Sequence, residues 1–297
     1  MNLIVGAGKV FKEYYLPNIN NFSNYKIYDK SKNNDNKKFV ITDELSEVLK
    51  HEYETIFILS PPNKHFENYS ELVSNSNTFY IEKPIFSSSK ELNDAISLRP
   101  KVNILGGYSR RFFHNYIEFK KYVEYNSSDS ELLRINIQEG YPYQWNPVML
   151  ETIIQDELSH LVDTLFYVSN LHTQQNLINL KNVTGDIYKE IEINGEINNT
   201  KIEIKFSRTE DLINHIRLDY SNGESYILNL KLNGSFYKVQ NKKVETFPVI
   251  QKQSSVSVFR DILSYINKDS YKKNDFQNLQ EFKNTINFID NVQGMLI

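Results

Sequence analysis

A chain of 297 residues, 40% hydrophobic and 24% charged, has enough apolar side chains for a large core or for two domains, and it is not a disordered composition. Its net charge of -3 gives no basic excess to hold a nucleic-acid backbone, so nucleic acid is not an expected partner. The lack of cysteine excludes disulfides, a thiolate nucleophile and cysteine-ligated zinc or iron–sulfur sites.

Met1-Asn2-Leu3-Ile4-Val5-Gly6 reads as the start of a first strand, and no basic stretch precedes it, which makes it a poor signal peptide. No apolar run reaches the length of a membrane span. A cytoplasmic enzyme is the expectation. Leu3 to Val5 ends at Gly6, and Val10 to Ile19 follows as a helix that Pro17 ends or bends. Tyr25 to Tyr28 is a second strand ending at Asp29, and a polar loop runs from Lys30 to Lys38. Asp43 to Lys50 has helical spacing through Leu45, Val48 and Leu49. Thr55 to Leu59 is a third strand, stopped by Pro61 and Pro62, and His65 to Ser74 is a helix. Phe79 to Ile81 is a strand ending at Glu82-Lys83-Pro84, Ser89 to Ser97 is helical, and Val102 to Leu105 is a strand closed by Gly106 and Gly107. These strands are short and uniformly apolar, as in a parallel sheet covered on both faces. The α/β domain is placed at residues 1–118.

The pattern then changes. Tyr108 to Tyr125 is partly helical, Leu132 to Gln138 alternates, and Met149 to Val168 is a long helical stretch. Ile187 to Ile197, Lys201 to Ser207, Ile213 to Tyr220 and Ser225 to Lys231 follow as strands, several with period-two alternation, such as Ile202, Ile204 and Phe206. Asn222-Gly223 and Asn233-Gly234 are turn signals. Val256 to Ile266 and Phe276 to Leu296 close the chain as helices. Residues 119–297 therefore read as an α+β domain with a mainly antiparallel, open sheet, suited to substrate binding and oligomerisation.

Gly6-Ala7-Gly8 sits directly after the first strand, with Lys9 and Val10 opening the helix. Glycines there allow a tight turn and close approach to a pyrophosphate, and the helix offers free N–H groups to it. Asp29, about twenty residues on, can accept hydrogen bonds from the ribose hydroxyls of NAD and would repel the 2′-phosphate of NADP. Lys30 and Lys32 blur that preference, so NAD is favoured with NADP as the alternative. The usual third glycine is replaced by Phe11, which requires the helix to shift or the ring to turn away. An ordinary strand-to-helix turn is the alternative reading of this motif, weakened by the repeated βα pattern and Asp29.

Lys83 follows a strand of the first domain, where it can hydrogen-bond a substrate hydroxyl and stabilise negative charge on oxygen. Glu82 can pair with it. A plain surface lysine is the alternative. Asp156, His160 and Asp163, at i, i+4 and i+7, fall near one face of a helix. His160 has a pKa suited to proton exchange, and Asp156 can orient it or contact substrate. A structural hydrogen-bond cluster explains the same spacing, and no metal is expected. Arg110 and Arg111 suit a phosphate or carboxylate, and Tyr108, Tyr141, Tyr143 and Trp145 suit stacking on a sugar.

Taken together, Gly6-Ala7-Gly8, Asp29, Ser60-Pro61-Pro62-Asn63-Lys64-His65, Glu82-Lys83-Pro84, Gly107-Tyr108-Ser109-Arg110-Arg111-Phe112 and Asp156-x-x-x-His160-x-x-Asp163 resemble the Gfo/Idh/MocA oxidoreductase family. The resemblance implies a Rossmann domain, an open-sheet second domain, and last helices that return toward the first. It implies Lys83, Asp156 and His160 as the catalytic group: Lys83 as active-site lysine, His160 as acid/base and Asp156 as its neighbour. Gly6, Ala7, Gly8, Lys9, Val10, Asp29, Ser60, Pro61, Asn63, His65, Glu82 and Lys83 are then the cofactor-binding set. Lys83, Arg110, Tyr143, Trp145, Asp156 and His160 are the expected substrate contacts. Asp163 is expected to stabilise the His160 helix. The implied substrate is a sugar, cyclitol or nucleotide-sugar, with surface polysaccharide biosynthesis as a pathway, and the implied assembly is a homodimer or homotetramer. A dinucleotide-binding regulatory or scaffold protein without turnover is the alternative, and a hydrolase or lyase on the same fold is a third.

Overall fold

The computed structural model describes residues 1–31, 41–141, 153–169, 171, 177–249, 251–267 and 279–296. The chain divides into two compact units: Met1–Tyr108 with Ser255–Lys283, and Ser109–Ser254 with Asn284–Ile297.

The first unit is built on strands β1 (Asn2–Val5), β2 (Tyr25–Tyr28), β3 (Ile41–Thr42), β4 (Ile56–Ile58), β5 (Thr78–Glu82) and β6 (Asn103–Gly107). They form one sheet in the order β3-β2-β1-β4-β5-β6, and every pairing is parallel. Ile4 of the central strand pairs with Ile27 on one side and Phe57 on the other. Leu3, Ile4, Val5, Ile56, Phe57, Ile58, Phe79, Tyr80 and Ile81 are all buried, so side chains on both faces of the sheet are covered. Helices α1 (Leu45–Leu49), α2 (His65–Leu72) and α3 (Ser89–Leu98) lie in the crossovers. Ser88 caps α3 by accepting from the Glu91 N–H.

The first crossover is irregular. After the glycine turn the chain forms a π turn over Phe11–Tyr15 and a 3-10 turn over Leu16–Asn18, with Pro17 near its start. Phe11 is fully buried. A π turn holds an extra residue and is wider than an α turn. This widened backbone is how the chain accommodates a ring where a third glycine would let the helix lie close.

The second unit contains α4 (His114–Asn126), β7 (Leu132–Gly140), a π turn over Ile154–Leu158, α5 (Ser159–Ser169), and β8 (Ile178–Asp186) through β9 (Glu190–Ile197) and β10 (Thr200–Ser207). It continues with β11 (His215–Tyr220), β12 (Ser225–Asn229), β13 (Phe236–Gln240) and β14 (Lys243–Phe247). The sheet order is β14-β13-β12-β11-β7-β10-β9-β8. Among the described residues only the β10–β7 pairing of this sheet is parallel. On β9, Ile191, Ile193 and Ile197 point into the core while Glu192 is exposed, so one face is solvated. Tyr116, Phe119 and Val123 are the buried residues of one face of α4, and Phe119 packs edge-on against Phe236. Every residue of α5 from Leu161 to Ser169 is buried, which explains its near-continuous apolar sequence. Helices α6 (Ser255–Asn267) and α7 (Leu279–Leu296) close the chain. Among the described residues no helix is long and apolar enough to cross a membrane.

Candidate dinucleotide site and charged clusters

In the first unit, the ends of β1, β2 and β4 open onto a cavity of about 370 Å³. Its walls include Gly6, Gly8, Tyr28, Asp29, Ser60 and Pro61. That volume lies in the range of small-molecule pockets. Gly6 has φ +98, and a Cβ there would lie 2.7 Å from the Ser60 nitrogen. Glycine is required both for the turn and for the close approach of the Ser60 loop. At Gly8 nothing lies within 4 Å of a Cβ position, so the turn faces open space. A cradle that is tight beneath and open above fits the backbone approach that a pyrophosphate needs.

Asp29 supports this turn directly. One carboxylate oxygen accepts the Ala7 N–H at 2.6 Å; the other accepts the Ser31 N–H at 2.8 Å and its hydroxyl at 2.6 Å. Burial raises its pKa, but the hydrogen bonds from Ser31 and Ala7 outweigh it and hold the carboxyl below its ordinary value. Asp29 therefore locks the glycine turn and keeps its charge on the cavity wall. Lys9, Pro61 and Asn63 are exposed, while Ala7 is buried and contributes its main chain.

Two of the expected cofactor contacts make hydrogen bonds within the fold. His65 is fully buried, with Nδ1 2.8 Å from the Pro84 oxygen and Nε2 2.8 Å from the Ser60 oxygen. Burial pushes its pKa down. Both ring nitrogens are used within the fold, so His65 ties the Ser60 loop to the Lys83–Pro84 turn rather than facing the cavity. Glu82 is likewise turned inward: Tyr15 donates its hydroxyl to one carboxylate oxygen, and the Lys83 N–H approaches the other at 3.3 Å. Tyr15 also lies 2.8 Å from the Tyr80 hydroxyl. Burial pushes the Glu82 pKa up. Lys83 is half-buried and joins Pro84 through a cis peptide bond.

The cavity also includes residues that the motif reading passed over. Asn68 donates to the Ser60 hydroxyl at 2.8 Å and lines the wall together with Tyr28, Ser31 and Lys64. The signal for Asn68 was present: it lies three residues past His65, with Leu72 completing the same buried helical face.

In the second unit the two adjacent arginines are committed to carboxylates. Arg110 Nη2 donates to both oxygens of Glu139 at 2.7 and 2.9 Å, and Tyr141 donates to the same carboxylate at 2.6 Å. Burial, then the Glu139 charge, push the Tyr141 phenol up, so it stays a donor at neutral pH. Arg110, an expected substrate contact, has its charge matched by Glu139 within the fold. Arg111 and Asp163 are each 1% exposed, and the guanidinium binds the carboxylate through Nη2 at 2.6 Å and Nε at 3.0 Å. The Tyr167 ring lies 5.2 Å from the Arg111 guanidinium carbon.

This pair divides the expected Asp156–His160–Asp163 face. Asp163 is drawn into the core, while Asp156 and His160 are half-buried. Asp156 sits in the π turn and His160 in the first turn of α5, so α-helical spacing does not describe their relation. Among the described residues no group of three metal-ligand side chains comes together. Tyr143 and Trp145 lie outside the described residues.

Residues 2–104 match the family model described as "Oxidoreductase family, NAD-binding Rossmann fold" of Gfo/Idh/MocA. The first 104 residues thus carry the NAD-binding Rossmann domain of the Gfo/Idh/MocA oxidoreductase family model. This family domain is the one whose first turn holds Gly6 and Gly8 and whose second strand ends at Asp29. Its Rossmann fold is an NAD-binding one, which agrees with the cradle described above. No curated protein matches the chain in sequence. Solved structures share its fold. A UDP-N-acetylglucosamine 3-dehydrogenase, GnnA, from Acidithiobacillus ferrooxidans is 13% identical with a TM-score of 0.75, covering 99% of this chain and 96% of that one. A dehydrogenase, MviM, from Clostridium difficile is 16% identical with a TM-score of 0.74, covering 99% and 98%. A Gfo/Idh/MocA family oxidoreductase from Vibrio cholerae is 11% identical with a TM-score of 0.70, covering 99% and 98%.

Proposed function

We propose that this oxidoreductase interconverts a secondary alcohol and a ketone on a sugar, cyclitol or nucleotide-sugar, using NAD or, less readily, NADP. The observation that carries the reading is the cavity walled by Gly6, Gly8 and Asp29 within the family-matched domain. The substrate class is supported by the family-model match over residues 2–104 and by the nucleotide-sugar dehydrogenase among the structures of the same fold.

The nicotinamide, when bound, accepts or supplies the hydride. The chain's own residues align substrate and handle the proton. The Gly6–Val10 turn and helix start would receive the pyrophosphate, and Asp29 the ribose. The Ser60–Asn63 loop would border the nicotinamide end. Lys83 donates a hydrogen bond to the reacting oxygen and stabilises alkoxide character. His160 accepts the hydroxyl proton in oxidation and returns it in reduction, with Asp156 orienting the substrate or the ring. His65 acts indirectly, by holding the turn that presents Lys83. A cytoplasmic homodimer or homotetramer, acting in surface polysaccharide synthesis, completes the proposal.

A panel of nucleotide-sugars and polyols, followed at the NADH absorbance band with NAD and NADP separately, tests it. Lys83→Ala and His160→Ala should each lower turnover by roughly 100-fold or more while the folded state is retained. Unchanged turnover in both variants would remove the assigned chemistry. Dinucleotide binding with no turnover across the panel would indicate a regulatory or scaffold protein. Light scattering at assay concentration tests the assembly; a monomer under catalytic conditions would refute it.

A further inference from the structure

Beyond Asp29, the cavity wall continues through Lys30, Ser31 and Lys64. Two ammonium groups in that position would by themselves suit a phosphate. Here both are already engaged. Glu67, on α2, meets Lys30 Nζ at 2.9 Å with one carboxylate oxygen and Lys64 Nζ at 2.7 Å with the other. Glu71, four residues along the same helix, lies 3.5 Å from Lys30. Hydrogen bonds from Lys64 and Lys30, and their charges, hold the Glu67 carboxyl at about 2, so it is ionised at any working pH. Counting Asp29, three carboxylates face two lysines among the described residues of this stretch.

We propose that Glu67 is a specificity-determining residue of the dinucleotide site, selecting NAD over NADP by holding Lys30 and Lys64. The inference rests on the reading that this cavity receives the dinucleotide. A 2′-phosphate brings about two negative charges to a wall whose cations are already matched and whose carboxylates repel it. A ribose 2′-hydroxyl is neutral and does not meet this penalty. Glu67 thus acts on the difference between the cofactors more than on either alone. The sequence places Lys30 beside Asp29, a combination that sends opposite signals about the cofactor; the helix contact resolves the conflict.

Calorimetric titration of the full chain with NADH and NADPH, and with the fragments 5′-AMP and 2′,5′-ADP, tests this without turnover. The wild-type chain should bind NADH more tightly than NADPH. Glu67→Gln should narrow that ratio on the order of tenfold, chiefly through tighter NADPH and 2′,5′-ADP binding. Adding Lys30→Gln to that variant should reverse most of the gain. If NADH still binds and Glu67→Gln leaves the ratio unchanged, Glu67 has no such role, while the cavity reading stands. A wild-type preference for NADPH overturns the inference in the same way. If the wild-type chain binds neither dinucleotide, the cavity reading fails and takes the inference with it.

Discussion

The glycine-turn cavity is followed by a π turn and the His160 helix is preceded by one, yet the two regions use their sequence signals differently. Around the cavity, Gly6, Gly8, Asp29 and Ser60 converge on one wall, because the turn and the strand ends carry them there. Along the helix, Asp163 leaves the expected face and is buried against Arg111. A site carried by backbone geometry follows from residue spacing. A site carried by side chains on a helix depends on which of them the core claims first.

The largest expected effect probes that core claim. Asp163→Ala leaves the Arg111 guanidinium buried without its counter-charge, and should cost about 3–5 kcal/mol of stability. Replacing both partners with apolar residues should recover much of the loss. A loss below about 1 kcal/mol in chemical denaturation would mean that the pair is not truly buried, and the contrast between the regions would vanish. Next in size is Gly6→Ala, which meets both the positive φ and the Ser60 main chain. It should cost about 1–3 kcal/mol and abolish NADH binding. Gly8→Ala separates fold from site: stability should change by less than about 1 kcal/mol, while the new methyl group narrows the cradle and weakens NADH binding. Equal losses of stability in the two variants would refute the open cradle.

The smallest effects lie in pH dependence, where two carboxylates of the first unit should act with opposite sign. Asp29 has a lowered folded pKa, so its contribution is present above the ordinary carboxylate value and is lost as pH falls through the depressed one. Glu82 has a raised folded pKa. The folded state then binds the extra proton, and stability falls as pH rises from the ordinary value through the raised one. Thermal unfolding across pH should show Asp29→Asn flattening the acid limb and Glu82→Gln removing the decline above it. Parallel curves for both variants and wild type would contradict these assignments.

Five of the six parallel strands were legible because they are mostly apolar and end near a glycine, proline or acidic residue; the two-residue strand Ile41–Thr42 is too short to carry a pattern. The open sheet was legible where alternation was strong, as at Ile202, Ile204 and Phe206. The two edge strands and Phe236–Gln240 beside one of them were not. Most residues of Ile178–Asp186 and Lys243–Phe247 are exposed, so neither carries an apolar period to read. The π turns were also hidden, since an extra residue in one turn leaves the local composition unchanged. Glycine and aspartate positions in the cavity were found from the motif. The inward roles of His65, Glu82 and Arg110 were not, because a polar residue beside a motif looks the same whether it faces a ligand or a neighbouring loop.

The first unit is discontinuous in sequence, and this gives its synthesis a definite order. Phe259 stacks on Tyr14 with ring centroids 4.8 Å apart, and Phe282 stacks on Tyr108 at 5.6 Å. Both covering rings come from the segment Ser255–Lys283, made long after Met1–Tyr108. At about 5–20 residues per second, the nascent sheet waits roughly ten to thirty seconds for them. A chain halted before Ser255 therefore holds the strands of the parallel sheet without the two rings that stack on Tyr14 and Tyr108, and the first unit is completed only after the strands of the second have been made.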